Sequence, residues 1–353
     1  MKIRFLKLFV WILSVLFLLS CGKIDVEKNS GGFGDYGSDT NESLPVFDEN
    51  FNGLIIAGMN DTSTMGMVKF MDNSDKNIYE DSEYLFEIYE RPYEVLAALE
   101  KDSVKYANVP GNMAAEIYND TNGGISVIAI SDLGTFNFVE RQERLNYFSE
   151  LKGQTIYFTD YGGTTDWVMR YLFNKNYIDA RNEVSFIYEN DYDTIISKML
   201  TDDQAIGILP LNISFPASEK YPEAKFRNAL SLMGEWVTVE TESTNGYVST
   251  VTVVKNDYLK ENPEDVINFL ARYKLSVEFV KAEENRTESA ELIEKYGVLS
   301  QEQAYSILPF CKMDFIIGND MKDRITEYYN IMYNFAPDSI GGALPGDEFY
   351  YLG

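Results

Sequence analysis

The pattern of apolar and polar positions divides the chain into short segments that are typical of strands alternating with helices. An apolar strand pattern covers residues 54–58, and helical spacing then places Met65, Val68 and Met71 on one face. Further strand patterns cover residues 84–88, 106–109 and 125–130, with helices predicted at 93–100 and 113–118. Strands that alternate with helices predict βαβ units and a parallel or mixed sheet.

The same order of elements begins again near residue 151. Strand patterns cover 155–158, 184–188 and 205–209, and helices are predicted at 166–173 and 193–200. This second run of about 100 residues has the length of an ordinary domain.

The last third of the chain changes character after about residue 245. A β-branched strand covers 248–254, and Asn262 with Pro263 supplies a cap and a first-turn proline for a long helix. Ser300 and Gln303 have the spacing of a capping box, and another helix is predicted at 320–333. Because this tail is mostly helical, we expect it to complete the first unit.

These patterns predict an α/β protein of two lobes. One lobe takes residues 48–133 and 249–353, and the other takes 134–248. The chain then crosses between them twice, near residues 131–136 and 245–249, which is the arrangement of a hinge that closes on a ligand.

The first 47 residues have a different composition. A positively charged start leads into an apolar run at 8–19, so residues 1–20 are predicted to be an export signal that is too short to span a membrane comfortably. The sequence LLSCG at 18–22 resembles a bacterial lipobox, which implies that Cys21 receives lipid. Residues 21–47 are rich in Gly, Ser, Asp and Asn and are expected to form a tether.

Composition excludes several classes of function. The 353 residues contain no histidine, so Ser-His-Asp and Cys-His sites are ruled out, and the usual zinc ligands are missing. A formal net charge of -26 is unfavourable for binding nucleic acid. If Cys21 carries lipid, Cys311 is left as the single thiol and no intrachain disulfide forms. No catalytic residue, metal or cofactor is predicted.

Four collinear stretches, together with the lipobox, resemble the type II periplasmic solute-binding proteins of ABC importers. They are TMGMVKFM at 64–71, VPGNMAAEIYN at 109–119, LKGQTIY at 151–157 and SIGGALP at 339–345. The resemblance is to the branch that takes up sulfonates, nitrate, taurine and thiamine-pyrimidine precursors. It implies a two-lobe fold, a small-molecule ligand and an ABC permease as partner. The family has Pro-Thr-Asn where this chain has Pro110-Gly111-Asn112, so the ligand is not transferred by analogy.

Ligands of open α/β sheets bind beyond the carboxyl ends of the strands, and four loops there supply candidate residues. Each loop has a plain structural alternative, namely a helix cap, a strand-to-helix turn or, for Trp167, core packing. Trp236 and Tyr247 could close the cleft or pack in the core. The predicted ligand-binding residues are Asn60, Asp61, Thr62, Ser63, Thr64, Pro110, Gly111, Asn112, Gly163, Thr164, Thr165, Trp167 and Leu211.

Three functions are consistent with the sequence. The first is a lipid-anchored, monomeric receptor in the periplasm or on the outer cell surface that delivers a small solute to a permease. Asp61 and nearby aromatics favour a neutral or cationic heteroaromatic ligand, while a small organic anion such as a sulfonate at a helix start stays open. The alternatives are a hydrolase that uses two carboxylates and a lipoprotein that binds a protein partner.

Overall fold

The computed structural model describes residues 53–79, 82–101, 103–241 and 245–353. The predicted export signal at 1–20 and the tether at 21–47, including Cys21, lie outside these ranges. Within the described ranges, no helix is both long enough and apolar enough to cross a membrane.

Strands and helices alternate along the described residues. The strands are β1 Leu54–Met59, β2 Tyr84–Tyr89, β3 Val104–Pro110, β4 Ile125–Asp132, β5 Phe136–Glu140, β6 Thr155–Phe158, β7 Ser185–Tyr188, β8 Ile206–Pro210, β9 Arg227–Ser231, β10 Thr250–Lys255 and β11 Met313–Ile316. The helices are α1 Thr62–Met65, α2 Val68–Asp75, α3 Pro92–Leu99, α4 Gly111–Asp120, α5 Thr164–Lys175, α6 Tyr192–Thr201, α7 Leu211–Lys220, α8 Leu232–Val239, α9 Asn256–Glu261, α10 Pro263–Lys281, α11 Arg286–Lys295, α12 Gln301–Ile307 and α13 Gly318–Phe335.

The first half of the fold is built on a six-stranded sheet with the order β11-β4-β10-β3-β1-β2. Strands β1, β2 and β3 are parallel, with Ile55 beside Leu85 in the register. Strand β10 runs antiparallel between β3 and β4, so β4 points the same way as β3. The carboxyl ends of β1 to β4 therefore share one edge of this sheet.

The second half is built on a five-stranded sheet with the order β7-β6-β8-β5-β9. Strands β6, β7 and β8 are parallel, and β5 runs antiparallel between β8 and β9. The carboxyl ends of β6, β7 and β8 therefore also share one edge, and β5 begins at that same edge.

Both connections between the halves start and finish at these edges. Strand β4 ends at Asp132 and β5 begins at Phe136, so three residues make the first connection. Tyr247, 1% exposed, belongs to the return connection and packs on the backbone of Gly134 in the first. Trp236 is fully buried nearby, with its ring 5.9 Å from that of Tyr247, so both aromatics are core residues.

The tail packs on the first half, as expected from its helical pattern. Phe269 of α10 stacks on Tyr106 of β3 with ring centroids 4.0 Å apart, and both rings are fully buried. Ser276 on the same helix donates to the Gly66 carbonyl oxygen at 2.7 Å. Burying two such rings contributes several kcal/mol, which explains why the chain returns to this sheet after building the other.

Several local predictions differ from the structure. Strands β5, β9 and β11 are not predicted by the apolar pattern, because charged residues interrupt them, namely Glu140, Arg227 and Asp314. The helix expected around 65–71 is divided into α1 and α2 at Gly66 and Met67. Asn262 does not cap α10, because its amide donates to the Tyr258 carbonyl oxygen. The Ser300 capping box is present.

Candidate ligand-binding site

The predicted loops collect at the carboxyl-terminal edges of the two sheets. The first loop follows β1, the second follows β3, the third follows β6 and the fourth follows β8. Hydrogen bonds connect the first loop with the fourth and the second with the third. The predicted residues thus come together in pairs, one loop from each half.

In the first loop, Asp61 caps α1. Its carboxylate accepts from the Ser63 backbone N–H at 2.9 Å and from the Ser63 hydroxyl at 2.6 Å. The Thr64 hydroxyl donates to the Met59 carbonyl oxygen, and the Asn108 amide donates to Ser63 Oγ at 3.1 Å. Because these bonds use Ser63 and Thr64 inside the first half, the cap interpretation describes both side chains.

Thr62 points to a residue that the sequence interpretation missed. Its hydroxyl donates to Asp132 Oδ2, and the Gly134 backbone N–H donates to Asp132 Oδ1. Asp132 is 2% exposed, and burial with the nearby Asp61 raises its pKa to about 7. It is the last residue of a strand that shares its carboxyl edge with β1 and β3, which is the signal that could have identified it.

The second and third loops contact each other directly across the two halves. Thr164 Oγ1 donates to Asn112 Oδ1 at 2.6 Å, and the Asn112 amide donates to the Gly162 carbonyl oxygen at 3.3 Å. Gly111 has no room for a side chain, since a Cβ would lie 2.5 Å from the Val248 carbonyl oxygen. Asn112 and Thr164 are 2% and 3% exposed, so this contact is buried.

The start of α5 is occupied by carboxylates of the same loop. Asp160 Oδ2 accepts from the Thr165 backbone N–H at 2.9 Å, and Asp166 Oδ2 accepts from the Gly162 backbone N–H at 2.9 Å. Gly163 is required here because a Cβ would lie 1.9 Å from Asp160 Oδ1. Burial, reinforced by the charge of Asp166, raises the pKa of Asp160 to about 6.

In the fourth loop, Asn212, the residue after the predicted Leu211, makes the hydrogen bond to the other half. The Asn212 amide donates to the Asn60 carbonyl oxygen at 3.4 Å. Asn212 is 5% exposed, and its Oδ1 atom has no hydrogen-bond partner among the described residues. Leu211 itself is half-buried at the start of α7. Trp167, on α5, is also half-buried and packs against the core.

Three carboxyls therefore lie at the facing edges, namely Asp61, Asp132 and Asp160. Burial raises the pKa of all three above the ordinary value for Asp. Among the described residues, no salt bridge joins any of them to a lysine or arginine. Desolvated carboxyls without a cation hold their protons more tightly, which accounts for the direction of these shifts.

Comparison with known proteins identifies the fold. No family model and no curated protein matches the sequence. A crystal structure of an ABC transporter from Parabacteroides distasonis superposes with a TM-score of 0.70 and 19% identity, covering 85% of this chain and 99% of that chain. The periplasmic aliphatic sulphonate binding protein SsuA from Escherichia coli has a TM-score of 0.63 and 10% identity, covering 82% and 90%.

A third solved structure extends the same comparison. The periplasmic nitrate-binding protein NrtA from Synechocystis PCC 6803 has a TM-score of 0.56 and 11% identity, covering 83% of this chain and 82% of that chain. At these identities the likeness concerns the fold. The described residues share the mixed α/β fold of these solved structures, built on two sheets, which confirms the predicted fold class.

Proposed function

We propose that this chain is an extracytoplasmic solute-binding lipoprotein of an ABC importer. Residues 48–133 and 249–353 act as one lobe and 134–248 as the other, and a small organic solute binds between them before delivery to the permease. The observation that carries this proposal is the pairing of loops from both halves at the strand edges, through Asn112 with Thr164 and Asn60 with Asn212. The solute-binding proteins of the same fold support it.

Closure is the step that couples binding to transport. The bonds of Asn112 with Thr164 and with the Gly162 carbonyl oxygen join the two edges. A solute that contacts both edges favours the closed state by its differential affinity, and the permease then recognises the closed form.

The amino-terminal residues give the proposed location. Residues 1–20 direct export, Cys21 carries the lipid, and 21–47 tether the folded body to the membrane. The receptor works as a monomer in the periplasm or on the outer cell surface.

A thermal-shift screen tests the function. The full-length chain is heated with sulfonates, nitrate, pyrimidines, flavins and amino acids, and a solute at 100 times its Kd stabilises by about 2.7 kcal/mol. Asn112→Ala removes the bond that holds the closed state, so we expect affinity for that solute to fall about fivefold, equivalent to about 1 kcal/mol. Asn330→Ala, which changes an exposed amide on α13, is the matched control. The proposal fails if no solute stabilises the chain or if both variants behave alike.

A carboxylate-based hydrolase is the second candidate, and one observation favours it. Asp132 and Asp160 have pKa values raised to about 7 and about 6, in the range that suits general acids. Turnover of a panel of glycosides and esters, lost in Asp132→Asn, would support hydrolysis over binding.

A further inference from the structure

The facing edges have an unusual charge arrangement for a site that could accept an anion. Asp61 follows β1, Asp132 ends β4 and Asp160 follows β6, so each half contributes to one acidic region. Among the described residues, no salt bridge joins these three carboxyls to a lysine or arginine. The exposed Lys312 lies beside this edge, where its carbonyl oxygen accepts from the Leu133 N–H. Arg170, on α5, is engaged with Asp166, with Nε 2.6 Å from Oδ1.

Two of the helix starts at these edges, those of α1 and α5, are filled by carboxylates. Asp61 accepts the Ser63 and Thr64 N–H groups at the start of α1. Asp160 accepts the Thr165 N–H at the start of α5. At these two starts, a sulfonate or nitrate would have to displace the carboxylates and then lie beside them, which costs Coulomb energy in a desolvated site.

Unpartnered acceptors in the same region provide the second, independent observation. Among the described residues, Asn212 Oδ1 is buried without a hydrogen-bond partner, Asn212 is 5% exposed, and its amide donates to the carbonyl oxygen of Asn60, the residue before Asp61. In the same part of the chain the buried Tyr247 hydroxyl also lacks a partner, and Tyr247 packs on Gly134, whose backbone N–H donates to Asp132. Buried acceptors without donors are the arrangement that a ligand rich in N–H groups would satisfy.

A bare metal ion fits this region poorly. Among the described residues, no three carboxylates or thiols converge closely enough to hold a metal. The acceptors are instead spread over loops from both halves, which suits a larger molecule that contacts both edges.

We propose that the cleft takes an organic cation with N–H donors, such as a primary ammonium or amidinium on a small organic body. Its charged group lies at the edge that carries Asp132, and a further donor reaches Asn212. This inference rests on the proposed function, since it names the class of solute that the same cleft captures. It separates this chain from its structural neighbours that are named for sulphonate and nitrate binding.

Matched ligand triplets test the inference. Benzyl, pyridylmethyl and n-butyl bodies each carry an ammonium, a hydroxyl or a sulfonate group, and binding to the full-length chain is measured by calorimetry at pH 8. We expect the ammonium member to bind at least tenfold more tightly than its two partners. Asp132→Asn should reduce that affinity at least tenfold, whereas Asp323→Asn, at an exposed position on α13, should leave it unchanged.

A second measurement does not depend on a variant. At pH 6.5, ammonium binding should release protons, seen as a dependence of the heat on the ionisation enthalpy of the buffer, because the cation favours the ionised carboxyls. Preferred binding of the sulfonate or hydroxyl members overturns this inference and leaves the proposed function standing. Absence of binding in every arm, together with a negative solute screen, overturns both.

Discussion

Two buried carboxylates at opposite ends of the strands differ in their partners and in the direction of their pKa shifts. Glu140, fully buried at the far end of β5, accepts from Arg227 and from the backbone N–H groups of Arg144 and Leu145. These partners outweigh burial and lower its pKa. Asp132 is about as deeply buried, yet its donors among the described residues are one hydroxyl and one N–H, and burial raises its pKa to about 7.

The two carboxylates differ in the partners that surround them. A buried carboxylate that only holds structure is given a cation and enough donors, as Asp72 also is by Lys76 and Lys295. At the facing edges, no salt bridge among the described residues gives a cation to the buried Asp132 or to the half-buried Asp160, and desolvated carboxyls without a cation reduce stability. Residues that lower the stability of the fold, and that have no structural role, are expected at functional sites.

The largest effect on stability should come from Glu140, the carboxylate that is paired with Arg227. Glu140→Gln leaves the Arg227 guanidinium without its carboxylate partner, so we expect the free energy of unfolding at pH 7 to fall by about 2 to 3 kcal/mol. Urea denaturation measures it. Glu223→Gln, at an exposed position of the same half, is the control and should change little. If both variants lose the same free energy of unfolding, the ion pair of Glu140 with Arg227 does not stabilise the fold.

Asp132→Asn should act in the opposite direction. The folded pKa of about 7 exceeds the unfolded value of 3.8, so the folded state holds a proton that the unfolded state lacks between these pH values. Wild-type stability therefore falls as pH rises through that window. Asparagine does not titrate, and we expect its stabilising effect to grow by about 2 kcal/mol between pH 5 and pH 8. The pH dependence of urea denaturation separates the contribution of Asp132 ionisation from changes in hydrogen bonding, which do not vary with pH.

The groups that face Asp132 determine whether this reasoning holds. Asp61 and Asp314 add negative charge, and burial, reinforced by Asp132, raises the pKa values of the neutral neighbours Tyr247 and Cys311. Lys312 is exposed, and its carbonyl oxygen accepts from the Leu133 N–H. None of these groups gains positive charge between pH 5 and pH 8. A constant difference between Asp132→Asn and wild type across this range would mean that the carboxyl is already ionised, and the contrast with Glu140 would disappear.

Much of this architecture follows from the sequence. Parallel strands with apolar cores, such as β1 and β3, are long enough to give a clear pattern, and the loops at their carboxyl ends follow from the topology. The short strands β5, β9 and β11 do not give such a pattern, since they are fixed by pairing with distant strands.

The site was predictable in its position and not in its chemistry. Asn112, Thr164 and the loop of Asn60 lie where the pattern places them, at strand ends. Asp132 and Asp160 also follow strands, yet the sequence holds 56 acidic residues, and composition alone does not separate a buried carboxyl from a solvated one. Burial and the missing cation are properties of the assembled edges.

Asp160→Asn should give the smallest of the stability effects. The shape of its curve of stability against pH is the most informative. The folded pKa of about 6 limits the window in which wild-type stability falls to about pH 4–6. We expect the stabilising effect to grow by about 1 kcal/mol between pH 5 and pH 8 and to level off near pH 6.5, about one unit before the curve for Asp132→Asn. Asparagine keeps an oxygen for the Thr165 N–H, so the helix start survives the change. If both curves level off at the same pH, the two carboxyls titrate as one coupled pair, and the acidic region is a single anionic site shared by the two halves.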